Sequence, residues 1–139
     1  MTHEQYITLE TANLAKQAGF NWEVETFYNA LGRACRGESY NWNGETGEYQ
    51  DVSRPTQSVL QRWLREVKGY NIYITHTYTV KDCQIKSIWE VLYEKMSFLK
   101  SNSTLILEDD FGRSLEFDTY EAALEAALQK CLTLIIEKQ

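Results

Sequence analysis

Ser53-Arg54-Pro55-Thr56-Gln57, running on into Val59, Leu60, Trp63, Leu64 and Val67, is the key to the fold, because a helix start leads directly into an apolar stripe. A serine ahead of the first turn can accept an orphan backbone N–H. Pro55 in that turn gives up no helical hydrogen bond, so the pattern predicts a helix beginning near Arg54. Positions 59, 60, 63, 64 and 67 recur at helical spacing, which brings all of them to one face at roughly 3.6 residues per turn. Gly69 supplies the stop. The stretch speaks of fold and carries no chemistry.

Toward the N-terminus, Thr8 can cap a helix through Ala18, with Leu9, Ala12, Ala15 and Ala18 on one face and Gly19-Phe20 as its end. Trp22, Val24, Thr26 and Tyr28 alternate and are rich in strand formers, so 22–28 reads as a strand, although Val24, Phe27, Tyr28, Leu31 and Cys35 also fit helical spacing. The string GESYNWNGETGEYQD over 37–51 is dense in Gly, Asn and acids. It reads as a loop or loosely ordered hairpin, with Asn43-Gly44 as a turn pair.

Toward the C-terminus, Ile72, Ile74, His76, Tyr78 and Val80 alternate with Tyr73, Thr75, Thr77 and Thr79, which predicts a strand. Segment 85–99 is ambiguous: Ile85, Ile88, Trp89, Leu92, Met96 and Leu99 form a helical stripe, while Trp89, Val91 and Tyr93 alternate as a strand. Thr104–Glu108 and Arg113–Phe117 read as short strands around an Asp109-Asp110-Phe111-Gly112 turn. Asp118-Thr119-Tyr120-Glu121 announces the last helix, capped by Asp118, with Tyr120, Leu124, Leu128, Cys131, Leu132 and Ile135 buried and Glu121, Glu125, Gln129 and Glu137 toward water. The expected fold class is α+β: about three helices packed on an antiparallel sheet of four to five strands, in a single compact domain over 1–139.

Composition narrows the function classes. A chain of 139 residues with 43% hydrophobic and 24% charged residues, and a single proline, has room for an ordinary core and no linker. No apolar run reaches the roughly 18 residues of a membrane span, and Met1-Thr2-His3-Glu4-Gln5 lacks the regions of a signal peptide, so a cytoplasmic protein with no membrane association is expected. Cys35, Cys83 and Cys131 are too scattered for a disulfide framework or a zinc site and are expected to be buried or partly buried thiols. Asn102-Ser103-Thr104 matches a glycosylation pattern but reads as a turn in that compartment. A formal charge of −6 disfavours phosphate backbones.

Three fragments resemble a family of small proteins encoded by bacteroidete phages, prophages and related mobile elements: Ile7-Thr8-Leu9-Glu10-Thr11-Ala12 through Gly19-Phe20, Pro55-Thr56-Gln57-Ser58 through Trp63-Leu64-Arg65-Glu66, and Asp118-Thr119-Tyr120-Glu121-Ala122-Ala123-Leu124. The resemblance implies an accessory protein of a mobile element. It implies no reaction and carries over no catalytic or binding residue. Because the middle of such chains is strand-like, it favours a strand for Trp89–Tyr93; residues 28–50 have no counterpart in it.

No catalytic residue, cofactor or metal is expected. His76 stands alone apart from His3, a Cys83–His76 nucleophile pair lacks any mark of a low-pKa thiolate, and Glu108-Asp109-Asp110 lacks the alternation of a calcium loop. Asp110-Phe111-Gly112 is a chance match to a kinase triplet, since the other kinase motifs are missing. Tyr40, Trp42 and Tyr49 lie in a polar acidic stretch and read either as anchors for a partner or as a lid folded over the sheet edge. Arg54, Arg62, Arg65 and Lys68 form a basic flank on the central helix, the last three at successive i+3 spacings, which reads as a solvated face or as a contact to phosphates. The expected function is therefore a noncatalytic protein-binding accessory module engaged through the 40–51 stretch, the alternative being a nucleic-acid-associated factor using Arg62 and Arg65. Oligomeric state is not legible.

Overall fold

The computed structural model describes residues 4–44, 50–96 and 104–139. Its class is α+β, with three α-helices among the described residues. In place of one sheet of four to five strands, the described residues form two three-stranded antiparallel sheets. The chain divides into two compact units, Met1–Trp63 with Leu128–Gln139, and Leu64–Ala127.

In the first unit, α1 runs Leu9–Ala18. Thr8 caps it through a 3.3 Å bond from the Thr11 N–H. Gly19 at φ 97° ends it, with the Phe20 N–H on the Ala15 carbonyl at 2.9 Å, the Schellman closure that Gly19-Phe20 announces. The sheet is built of β1 (Val24–Tyr28), β2 (Ala34–Tyr40) and β3 (Val52–Ser53), in the order β2-β1-β3. The strand reading of 22–28 holds from Val24 to Tyr28. Residues 34–40, however, are a paired strand, so the expected loop begins only after Tyr40. Residues 45–49 lie outside the described residues.

Helix α2 spans Gln57–Trp63 and starts later than the sequence predicts. Ser53 is not its cap: it is a buried residue of β3 opposite Phe27, with its N–H on Asn43 Oδ1 at 2.9 Å. The residue before a proline is disfavoured in the helical region, and Arg54 instead donates its N–H to the Thr26 carbonyl at 2.9 Å. Thr56 takes the capping role, its Oγ1 accepting the Val59 N–H at 3.3 Å. Leu60 and Trp63 are buried, and Trp63 meets Phe20 edge-on at 5.4 Å.

Leu64–Lys68 continues as a π-helical turn in the second unit. Its i→i+5 bonding adds a residue to the turn, which rotates the stripe and leaves Val67 52% exposed rather than buried. After Gly69 come β4 (Tyr70–Lys81), β5 (Gln84–Lys95) and β6 (Leu105–Ile106), in the order β4-β5-β6. Strand wins across 84–95; Leu99 lies outside the described residues. Around the Asp109–Gly112 turn, Glu108 and Ser114 form a single bridge and Phe117 bridges to Trp89, so Arg113–Phe117 is not a full strand.

Helix α3 spans Tyr120–Glu137. Its cap is Thr119, whose Oγ1 accepts the Ala122 N–H at 3.1 Å, while Asp118 pairs with Lys86 at 2.9 Å. Leu124, Leu128, Cys131, Leu132 and Ile135 are buried as the stripe predicts, but Tyr120 is exposed. Gln129 does not face water: its Nε2 donates to Thr11 Oγ1 at 3.0 Å within the first unit. No helix of the described residues is long and apolar enough to cross a membrane.

The two caps can be told apart by substitution. Thr56→Ala is expected to cost about 1 kcal/mol of stability in urea unfolding. Ser53→Ala is expected to be neutral or stabilising, because Ser53 Oγ is buried without a hydrogen-bond partner.

Candidate functional site

Strands β4 and β5 form one long ribbon, paired residue by residue from Tyr70–Lys95 to Lys81–Gln84. Asp82 and Cys83 close it with φ of 52° and 63°, the paired positive angles of a two-residue hairpin loop. Directly opposed residues of an antiparallel pair share a face. One face therefore carries Tyr70, Ile72, Ile74, His76, Tyr78 and Val80 together with Ile85, Ser87, Trp89, Val91, Tyr93 and Lys95. At its base Tyr70, Ile72, Val91 and Tyr93 are buried.

Toward the tip the same apolar pattern continues, but cover is lost. Tyr78, Val80 and Ile85 are 66%, 73% and 77% exposed. Between base and tip, His76 stacks on Trp89 at 4.3 Å and meets Ser87 Oγ, while Trp89 receives Tyr120 edge-on at 5.7 Å. The strand order leaves β4 at the sheet edge. From Ile74 to Lys81 no strand of the described residues pairs along its outer side. That edge has no proline, and no irregularity interrupts its pairing with β5; formal charge on the outer half is limited to Lys81, Asp82 and Lys86. On the ribbon's other face, Tyr73 donates to Glu94 Oε1 at 2.7 Å. This bond to a carboxylate holds the Tyr73 phenol above its usual range.

The residues singled out in the sequence are distributed more widely. Tyr40 ends β2, and Trp42 lies half-buried in the following turn. The Trp42 ring stacks on Phe27 at 4.0 Å, meets Tyr40 edge-on at 5.1 Å and donates Nε1–H to the Val24 carbonyl at 2.8 Å. Gly37 makes room for it, since a Cβ there would come within 3.0 Å of the indole. Asn43 ties the same turn down, accepting from the Ser53 N–H at 2.9 Å and donating to the Phe20 carbonyl at 3.0 Å. Tyr40 and Trp42 are thus brought together over the sheet; Tyr49 lies outside the described residues.

Arg62 and Arg65 are set on different units. Arg62 belongs to the first, its guanidinium 6.0 Å from the Trp22 ring, and Arg65 sits exposed on the π turn of the second. Cys83 is exposed at the ribbon tip, contrary to the expectation of a covered thiol, because a tight hairpin turn has nothing packed over it. Five residues of strand, about 16 Å at roughly 3.3 Å each, separate His76 from Lys81, which adjoins that turn. His76 and Cys83 therefore do not form a pair.

Asp109 is a turn residue: its Oδ1 accepts the Phe111 and Arg113 N–H groups at 2.8 and 3.0 Å, and its Oδ2 accepts Arg113 Nε–H at 3.0 Å. The Arg113 backbone bond above all holds its carboxyl below the usual range. Among the described residues no group of His, Cys, Asp and Glu is arranged to hold a metal ion. The β4–β5 surface escaped the sequence reading, although the uninterrupted alternation to Val80, answered by Ile85, was its visible sign.

The chain matches no protein-family model, and no curated protein or solved structure matches it.

Trp42→Ala is expected to lower stability by about 2 to 3 kcal/mol, somewhat under the cost at a fully buried tryptophan, as read by thermal or urea unfolding. Burial pushes the Cys131 thiol up from 9.0 to about 12, against the opposing charge of Lys130. An unfolded chain then releases this proton before the folded one does, so stability is full below pH 9 and falls as pH rises from about 9 toward 12. The slope is at most about 1.4 kcal/mol per pH unit; urea midpoints measured across that window should show it in the wild type and lack it in Cys131→Ala.

Proposed function

We propose that this chain is a noncatalytic protein-binding accessory module, of the mobile-element origin that its three helix starts resemble, and that it takes an extended segment of a partner along the outer edge of β4. One observation carries the reading: the apolar face of the ribbon runs on through Tyr78, Val80 and Ile85 where nothing of the described residues covers it. An unpaired edge offers main-chain donors and acceptors for an added strand, and alternate side chains give it selectivity. Natural edges of this length are usually blunted by proline, bulges or inward charge; Ile74–Val80 uses none of these. Covering Tyr78, Val80 and Ile85 would contribute on the order of 1 to 2 kcal/mol each, given their present exposure.

The separation of His76 from Cys83, and the engagement of Asp109 in its own turn, support a binding role over a catalytic one. A formal charge of −6 speaks against phosphate backbones as the main partner.

The test compares tagged wild type with a Tyr78→Lys, Val80→Lys double variant, both exposed sites at which folding should change by less than about 1 kcal/mol. A polypeptide captured by wild type from nuclease-treated lysate should be lost with the variant while the melting curve stays in place. Capture unaffected by the variant would overturn the ribbon as the binding surface. Partners that vanish on nuclease treatment alone would move the function to nucleic acid and direct attention to Arg62 and Arg65.

A further inference from the structure

Arg54 of the first unit stands in an arrangement that the protein-binding reading does not use. Its backbone is held on both sides, the N–H on the Thr26 carbonyl at 2.9 Å and the carbonyl accepting Thr26 Oγ1–H at 2.5 Å. Pro55 keeps it extended. The guanidinium lies 4.1 Å from the Tyr6 ring centre and 5.3 Å from that of Tyr28. These rings favour the cation through their faces, but they accept nothing from the N–H groups, which point outward in the guanidinium plane. Arg54 Nε is buried and has no hydrogen-bond partner. Among the described residues no carboxylate pairs with this side chain.

Arg36 provides the contrast. It lines the same groove, yet it is satisfied by Glu25 Oε2 at 3.2 Å and by the Tyr6 hydroxyl at 3.4 Å. A buried donor left without an acceptor costs roughly 1 to 3 kcal/mol, and more when charged. One arginine is therefore compensated within the fold, while its neighbour lines the groove with a planar guanidinium that no carboxylate of the described residues pairs with, a donor geometry suited to a carboxylate.

The groove beside Arg54 has a volume of about 320 Å³, the size of a small-molecule site. Val24, Pro55 and Val59 supply apolar wall, and the Ser39 and Thr56 hydroxyls flank it. Glu23 and Glu25 also line it. Since Glu25 already pairs with Arg36, Arg54 is the cation left for a ligand carboxylate, and with Glu23 also on the wall every further negative charge on a ligand adds repulsion.

We infer that this groove binds a small monocarboxylate, its carboxylate taken by the Arg54 guanidinium and its apolar body laid against Val24, Pro55 and Val59. The chain, labelled with nitrogen-15, is titrated with benzoate while the backbone amide resonances of Val24 and Val59 on the groove wall, and in wild type and Ser39→Trp also the Arg54 Nε–H, are followed. A saturable shift with millimolar apparent Kd is expected, weakened about tenfold or more in Arg54→Gln, as loss of a charge-assisted hydrogen bond predicts. Ser39→Trp, which fills the groove and leaves Arg54 in place, should abolish the shift and guards against misfolding of the first variant. Absence of a saturable shift in wild type, or one that persists in Ser39→Trp, would overturn the site. A response to inorganic phosphate stronger than to benzoate at equal ionic strength would overturn the assignment to a monocarboxylate.

Discussion

The extended backbone from Val52 to Thr56, leading into Gln57 at the start of α2, is the constraint on which the first unit depends. Each successive residue meets a different part of that unit. Ser53 binds the Asn43 side chain at 2.9 Å, Arg54 exchanges bonds with Thr26, and the Pro55 carbonyl accepts the Ile7 N–H at 3.2 Å. Thr56 bridges to Tyr6, and the Gln57 N–H reaches the Gln5 carbonyl at 2.8 Å. Pro55 is what keeps the segment from turning helical too early, because its ring restricts the residue before it to extended conformations. The start of α2, the seating of the N-terminal segment and the placement of Arg54 over Tyr6 all follow from that restriction.

A different balance governs the second unit. Its ribbon carries one largely apolar face, but only the base of that face is buried, at Tyr70, Ile72, Val91 and Tyr93. Apolar burial contributes roughly 25 cal/mol per Å², so the exposed Tyr78, Val80 and Ile85 represent stabilisation that the isolated chain does not collect. The stack of His76 on Trp89 marks where cover ends. Cover thus falls off along the ribbon from a packed base to an exposed tip.

Aromatic residues serve three separate ends in this chain. Trp63 and Phe20 fill the first core. Trp42 closes the sheet over Gly37 and Phe27, and Tyr6 and Tyr28 hold a guanidinium whose donors find no acceptor among the described residues. Sequence context distinguishes these poorly, since an aromatic side chain in a polar stretch looks the same whether it anchors a partner or folds back on a neighbouring strand.

The features legible in the residue order are local ones. The Thr8 cap and Gly19 stop, the alternation along Ile72–Val80 and the stripe of α3 from Leu124 to Ile135 are set by backbone sterics and periodicity within a few residues, and they are found where those forces place them. Everything else was fixed by long-range partners, which compete with local signals of similar strength. Ser53 and Asp118 lost their capping roles to Thr56 and Thr119 once β3 claimed one and Lys86 the other. The 85–95 segment satisfied helix and strand periods equally until β4 offered it a full ladder of backbone bonds. The open face of the ribbon and the unsatisfied Arg54 were invisible for the same reason: exposure and a missing partner are properties of what surrounds a side chain, and one chain's residue order does not say what will surround it.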